Sequence, residues 1–424
     1  MSSHQAYKLS GIDWIGDIPS HWETVQPKYR LNRVTREIDD QDKVVTCFRD
    51  GVVTLRKNRR EEGFTNSIKE HGYQQIRPGD LVVHEMDGFA GAIGISDSKG
   101  KSTPVYTVIE PDGRADLRYV AYLLRVMSKS GKIESLARSI RERTTDFRWN
   151  MWSVIKFPFP PIEEQTLISN HLDTKLNKIN SIVEKIERKI ELLKEQQTSL
   201  INKCMTKGLN PNEEMKDSGV SWIGKVPKHW TIKPIGSLLQ DRNEKNDPIS
   251  ITDILSLTAD RGVIPYDEKG AVGNKSKEDL SQYKIARVGD IVINSMNIIS
   301  GSVGLSNYIG LVSPVYYMLR PINDQDLVEY FYYIFKDRQF QKSLIGLGNG
   351  ILFHRLRIPL SKLKSVKIPY TTRSEQLKII EYIKNVDEKF STLVAFENRR
   401  IELFNEYRHS LISTMVTGKI KVTM

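Results

Sequence analysis

The sequence predicts a mixed α/β (α+β) protein made by duplication: two tandem, pseudo-symmetric globular domains, each followed by a long helix. Three observations predict it. A motif-rich unit recurs about 210 residues on, each copy carries the same order of strand-like and glycine-punctuated segments, and a heptad seam follows each copy.

The repeat begins with Ser10-Gly-Ile-Asp-Trp-Ile-Gly-Asp-Ile-Pro-Ser-His-Trp22, which returns 208 positions later as Ser218-Gly-Val-Ser-Trp-Ile-Gly-Lys-Val-Pro-Lys-His-Trp230. Arg77-Pro-Gly-Asp-Leu-Val-Val83 returns as Arg287-Val-Gly-Asp-Ile-Val-Ile293, an offset of 210. Gly91-Ala-Ile-Gly94, Pro104-Val-Tyr106 and Asp116-Leu117 keep that offset as Gly301-Ser-Val-Gly304, Pro314-Val-Tyr316 and Asp326-Leu327. Glu164-Gln165 returns at 211 as Glu375-Gln376. One slowly drifting offset means duplication of a whole unit with few insertions. The period is too long for a solenoid, so each copy is a globular domain with an appendage.

Within each copy, Arg-x-Gly-Asp reads as a turn feeding an apolar strand, and Gly-x-x-Gly as a tight turn or bulge. Asp116 and Asp326 read as N-caps of short amphipathic helices, the first turning Val120, Leu123, Leu124 and Met127 inward. His21-Trp22 and His229-Trp230, each beside a proline, read as packing clusters that fix the segment entering each domain.

After each domain the periodicity changes. Leu172, Leu176, Ile179, Val183, Ile186, Ile190, Leu193, Gln197, Leu200 and Cys204 alternate in steps of four and three, an a/d seam flanked by Lys and Glu. Gly208 and Pro211 stop it. The second copy places Ile383, Asp387, Phe390, Val394, Glu397, Ile401, Phe404, Arg408, Leu411 and Met415 at the matching positions, and its three charged residues read as polar register markers. A helix over residues 163–207 is about 65 Å long, more than a small domain needs internally, so it reads as a spacer paired with its repeat. The boundaries are then residues 1–157 for the first domain, 158–208 for the first helix and 209–217 for a linker. The second domain follows at 218–367 and the second helix at 368–424.

Composition narrows the class of activity. Hydrophobic residues make up 39% and charged residues 27% of 424 residues, enough to fold two to four domains. The net charge of +11 is the footprint of a nucleic-acid binder, because Lys and Arg displace counterions from phosphates. Two distant cysteines, Cys47 and Cys204, exclude a disulfide framework or a Cys-type zinc site and fit a reducing cytosol. No leader-like apolar stretch opens the sequence and no apolar run is membrane-length, so a soluble intracellular chain with no membrane partner is expected.

Catalytic motifs fail one by one. Gly100-Lys-Ser102 lacks the upstream glycine of a phosphate loop, since position 95 is Ile95, and the lysine is absent from the second copy. Asp-x-Lys at Asp173, Asp267 and Asp387 has no clear carboxylate partner, and the eight histidines show no metal-ligand spacing. No catalytic residue and no metal are therefore assigned.

The copies diverge most between residues 31–76 and 239–286, and again just before each long helix. These stretches carry Arg56, Lys57, Asn58, Arg59 and Arg60, and then Arg141, Arg143, Thr144 and Arg148. Their counterparts hold Arg242, Asn243 and Lys245, and then Asn349, His354, Arg355 and Arg357. Arg, Asn and Thr can read base edges, and Arg and Lys anchor phosphates. A shared frame with divergent basic loops is what reading two different half-sites requires.

The doubled Ser-Gly-x-x-Trp-Ile-Gly-x-x-Pro-x-His-Trp, the Gly-Asp-Ile-Val at Gly289, the Glu-Gln before each helix and Gly208-Leu-Asn-Pro-Asn resemble type I restriction-modification specificity subunits, over nearly the whole chain. The resemblance implies two target-recognition domains, each reading half of a split double-stranded DNA sequence, spaced by an antiparallel coiled coil. It implies two methylation subunits docked on the helices, two motor-nuclease subunits in the full complex, and a prokaryotic cytoplasmic setting. S-adenosylmethionine, ATP and Mg²⁺ would belong to those partners and no cofactor to this chain. The alternatives are a coiled-coil scaffold whose basic charge is incidental, and a self-contained nuclease or methylase, which the missing motifs oppose.

Overall fold

The computed structural model describes residues 4–59, 71–136, 146–269, 279–348 and 356–422. Its contacts divide the chain into two compact units, Met1–Glu187 with Asn398–Met424, and Arg188–Glu397. Each unit therefore combines one globular domain with the start of its own long helix and the end of the other. Among the described residues no helix is long and apolar enough to cross a membrane.

The two domains share one topology. In the first, a four-stranded antiparallel sheet runs in the order Asn32–Val34, Tyr106–Glu110, Leu81–His84, Ile93–Ile95. In the second, the order is Leu239–Asp241, Tyr316–Pro321, Ile291–Asn294, Val303–Leu305. Each domain adds a hairpin, Val45–Cys47 with Val53–Leu55 and Leu255–Thr258 with Gly262–Pro265. Gly91 and Gly301 take positive φ at the end of a short turn. Gly94 lies in a strand, where a Cβ would fall 1.8 Å from the Gly51 carbonyl oxygen of the hairpin, so only glycine lets the two backbones approach.

Asp116 caps the helix Leu117–Lys129, its carboxylate accepting from the backbone N–H groups of Arg118 and Tyr119. Val120, Leu123, Leu124 and Met127 are fully buried in the first core with Trp22, Leu81, Ile93 and Phe157. Each such side chain contributes roughly 1.5–3 kcal/mol. Asp326 does not cap the equivalent helix, which begins one residue later at Val328 with Leu327 uncapped by any side chain. Its carboxylate instead accepts from Tyr370 Oη and Gln376 Nε2, two better-placed donors in a buried setting.

The first long helix spans Ile162–Lys207 and the second Arg373–Val416. Strand pairing of Phe157–Phe159 with Glu23–Val25, and of Lys367–Tyr370 with Thr231–Pro234, seats their starts. Gly208, at φ +70°, ends the first helix. Part of the 209–217 stretch is folded, because Met215–Asp217 pairs with Lys225–Pro227 as Tyr7–Leu9 pairs with Asp17–Pro19.

The two repeated motifs meet at the start of each long helix. Trp22 is fully buried, and its indole N–H donates to Glu164 Oε1 at 3.2 Å while His21 Nε2 lies 2.8 Å from Oε2. Gln165 then accepts the Asp116 backbone N–H and donates to the Pro160 carbonyl. In the second unit Trp230 and His229 donate to Glu375 Oε2 at 2.9 Å each, and Gln376 accepts the Leu327 N–H and donates to the Thr371 carbonyl. His-Trp and Glu-Gln, about 145 residues apart in sequence, are thus the two halves of one clasp.

The clasp in the second unit is linked to pH. The hydrogen bond to Glu375 raises the His229 pKa above its ordinary 6.5, outweighing burial, with the charges of Glu375 and Glu213 adding to the rise. Burial alone would raise the Glu375 pKa, but hydrogen bonds from Thr371, His229 and Trp230 outweigh it and leave it below 4.5. A raised histidine contributes stability that is complete below its unfolded pKa and lost as pH climbs through the folded one. A depressed carboxylate contributes stability that is lost as pH falls through its folded value. This clasp is therefore strongest between about 4.5 and 6.5. In a Glu375→Gln variant the His229 imidazole, followed by NMR titration, should move back toward 6.5; an unchanged midpoint would show that Glu375 does not set it.

Candidate nucleic-acid interface

A cleft of about 730 Å³ opens in the first domain between the hairpin and the central sheet. Its lining includes Arg49, Arg56, Arg59, His84, Thr103 and Tyr106. The hairpin brings the arginines there: Arg49 sits at its tip, and the short turn Arg56–Asn58 follows its second strand. Arg56 Nε donates to Thr46 Oγ1 at 3.3 Å. Arg59 forms a two-pronged pair with Asp50 at 2.9 and 2.5 Å and stacks over the Phe48 ring. Arg49 reaches Asp87 at 2.9 Å with most of its side chain exposed. Lys57 and Asn58 are exposed, with Asn58 Nδ2 donating to Thr54.

His84 is shaped differently. Its Nδ1 accepts the backbone N–H groups of Met86 and Asp87, and burial lowers its pKa despite Asp87 nearby. The imidazole is therefore neutral, with Nε2 carrying the proton. Arg148 is exposed at the start of the short helix Trp149–Trp152 and pairs with Asp146 at 2.6 Å. Nearby Glu85 has its pKa raised by burial, although Thr107 donates to it.

The second domain fills the same frame with other side chains. Because the strand registers match, Ala259 stands where Arg49 does, Tyr266 for Arg56, Asn294 for His84 and Lys284 for Gln74. Phe147 N–H donates to the Glu85 carbonyl and Ile358 N–H to that of Ser295, which sets Arg357 at the place of Asp146. Arg357 and Lys245, both exposed, oppose the charge of Lys284; burial and these two neighbours lower the lysine's pKa, with only Asp241 countering. Lys284 Nζ donates to the Tyr316 carbonyl at 3.0 Å. Three cations thus act on one another here, whereas the second domain's hairpin has no arginine at the places of Arg49 and Arg56.

The remaining candidates separate into two kinds. Asn243 and Lys245 are exposed, whereas Arg242 Nε holds both oxygens of Asp290, which is 1% exposed. Arg36 does the same for Asp80 in the first domain. Arg242 thus belongs to the frame, bracing the Arg-x-Gly-Asp turn. Arg60, Arg141, Arg143, Thr144, Asn349, His354 and Arg355 lie outside the described residues. His84, Arg49 and Lys284 were not singled out from the sequence. Their signal was available as differing residues inside the conserved offset, at positions flanking the repeated strands.

On the helices, Leu172, Ile179, Ile186, Ile190, Ile383, Phe390 and Leu411 are buried, and Leu176, Val183, Leu193, Leu200, Ile401 and Phe404 are half-buried. The charged seam residues each find a partner on the other helix. Arg408 donates to Asn180 at 2.5 Å in the first unit. In the second, Lys189 donates to Glu397 at 2.6 Å and Gln197 to Asp387 at 2.8 Å. In this second unit the first number rises as the second falls, so the helices run antiparallel there. Asp387 also accepts from Tyr333, and Asp173 from Arg118 and Tyr122, which gives these carboxylates structural work.

The frame and the readers should separate in experiment. Arg242→Ala strands a buried carboxylate and should destabilise the second unit by about 1–3 kcal/mol, read as a lower denaturant midpoint. Lys245→Ala should leave that midpoint unchanged; equal losses would mean that the distinction is false.

Comparison with known proteins agrees with this frame. Residues 227–403 match the family model for the type I restriction modification DNA specificity domain. The chain is 22% identical, over 96% of each sequence, to the putative type I restriction enzyme MjaX specificity subunit of Methanocaldococcus jannaschii. It is 24% identical to the MjaVIII specificity subunit of the same organism over 63% of each. Its fold resembles a chain solved in work on assembly and conformational transition of the type I R-M system, with TM-score 0.65 and 13% identity over 95% of this chain and 99% of that one. It also resembles the HsdS subunit of Thermoanaerobacter tengcongensis, with TM-score 0.52 and 14% identity over 99% and 100%. With a duplicated frame that holds different side chains at equivalent positions, the chain is similar over nearly its whole length to type I restriction-modification specificity subunits, and residues 227–403 match their DNA specificity domain.

Proposed function

We propose that each domain reads one half of a split double-stranded DNA target, and that the paired helices set the distance between the halves. The single observation that carries this reading is the substitution pattern between the two domains. The sheets share one topology and register, while residues lining the first domain's cleft are replaced at matched positions of the second: Arg49 by Ala259, Arg56 by Tyr266 and His84 by Asn294. Arg49, Arg56, Arg59 and neutral His84 present donors suited to guanine and phosphate oxygens in the first domain. In the second, Lys245, Lys284 and Arg357 supply charge for the backbone and Asn294 an amide for base edges.

The chain then delivers this specificity to partners. Two methylation subunits dock on the helices, two motor-nuclease subunits complete the restriction complex, and S-adenosylmethionine, ATP and Mg²⁺ act on those subunits in the cytoplasm of a prokaryote. The exposed faces of both helices, rich in Lys and Glu outside the seam, are compatible with such docking. A methylation subunit recovered at about two copies per chain supports this assembly, and its absence on co-purification opposes it.

Methylation mapping tests the modular part. Exchanging residues 24–157 for the matching domain of a relative should change one half of the methylated site and leave the other; a change in both halves would defeat the assignment. Mapping also tests the spacing. Four residues inserted in each long helix add roughly 6 Å, which is about two base pairs of spacer at 3.4 Å each. An unchanged spacer would show that the helices do not measure it.

A further inference from the structure

The two clasps differ in one respect that the DNA-reading role does not require. In the second unit, His229 is held from both sides by carboxylates, with Glu375 at 2.9 Å from Nε2 and Glu213 at 3.4 Å from Nδ1. In the first, His21 keeps its carboxylate, Glu164, but the segment opposite carries His4. The strand pairs Tyr7–Leu9/Asp17–Pro19 and Met215–Asp217/Lys225–Pro227 have the same register, so His4-Gln5 occupies the place of Asn212-Glu213. Two imidazoles and one carboxylate thus stand where the other unit has one imidazole and two carboxylates.

The histidine so placed is unusual. His4 is only 7% exposed, and its Nε2 has no hydrogen-bond partner although it is buried. An orphaned buried nitrogen costs about 1–3 kcal/mol, and such atoms call for an explanation. Its ring lies 5.6 Å from that of His21, and one ligand atom from each of His4, His21 and Glu164 falls within 4.8 Å of the others. With no donor directed at it, the buried His4 Nε2 can offer its lone pair to a metal ion. Trp22 donates to Glu164 Oε1, which orients the carboxylate as an outer partner does around a metal. A cleft of about 700 Å³ borders the three residues and leaves room for a water as fourth ligand.

We propose that His4, His21 and Glu164 bind a divalent transition-metal ion of the zinc class. Two imidazoles and a carboxylate suit zinc, whose bonds to nitrogen and oxygen are about 2.0–2.2 Å. Tetrahedral ligands are then on the order of 3.3 Å apart, reached from the observed cluster by small side-chain rotations. The ion would tie the segment around His4 to the first turn of the long helix. That task falls to Glu213 and His229 in the other unit.

The test is calorimetric titration of Zn²⁺ into the metal-free full-length chain, without DNA, so its outcome is independent of the reading proposed above. One ion per chain should bind, with affinity at least tenfold weaker in His4→Ala and in His21→Ala and unchanged in His229→Ala. His4→Asn, which installs the second unit's own residue, should lose binding while keeping the chelator-treated melting temperature, which separates ligand loss from misfolding. Co²⁺ should give tetrahedral visible bands in the wild type that vanish in both His variants. Absence of saturable binding overturns the site. So does binding that survives His21→Ala, which would belong to His4 and the chain terminus alone, or binding lost equally in His229→Ala.

Discussion

A single carboxylate at the first turn of each long helix anchors its unit. Glu164 and Glu375 satisfy the indole N–H of a completely buried tryptophan, engage the adjacent histidine, and place negative charge where the helix N-terminus favours it. The following glutamine accepts the backbone N–H at the start of the domain's short helix. One Glu-Gln pair thus joins the entry segment, the domain helix and the spacer helix. Without the carboxylate, the buried indole would lack its acceptor and the helix its fixed point of departure. Tyr119 adds to the same junction, its hydroxyl facing the carbonyls of Pro158 and Val416.

On that rigid junction the two domains can vary where variation is inexpensive. The strands that pair and the glycines that permit close backbone approach are held in common, because Gly94 and Gly304 admit no Cβ beside the hairpin. The hairpin tip, the turn after it and the strand ends are exposed to solvent or line a cleft, and side chains there change without disturbing the core. Arg36 and Arg242 show the opposite case. They have the residue type expected of a DNA contact, but each guanidinium balances a carboxylate buried to about 1% exposure. Residue type alone does not separate a reader from a brace; burial of the partner does.

The coil follows a similar logic. An apolar seam drives helix pairing but tolerates slippage, since one Leu or Ile layer resembles the next. Glu397 is 2% exposed, and a charge so buried needs a partner at one position only, which Lys189 supplies. Asp387 with Gln197 and Arg408 with Asn180 repeat the constraint toward the two ends. These contacts add little net stability, because desolvation offsets most of their attraction, but they penalise every other register.

The duplication, the mixed α/β class, the two long helices with their seam residues, and the inward face of Val120, Leu123, Leu124 and Met127 are all written in the amino-acid sequence. All of these rest on local periodicity or on similarity between two stretches of one chain, which need no knowledge of distant contacts. The N-cap at Asp116 was legible for the same reason, whereas Asp326 was drawn away by Tyr370 and Gln376, partners far along the chain. That His-Trp and Glu-Gln form one clasp, that Arg242 braces Asp290, and that Lys245 and Arg357 act on Lys284 emerge from the folded arrangement alone. The same holds for His4, His21 and Glu164, spread over 160 residues with no ligand spacing to betray them. Each of these depends on how a side chain's charge is buried and what lies opposite it, and neither quantity has a period that a sequence can display.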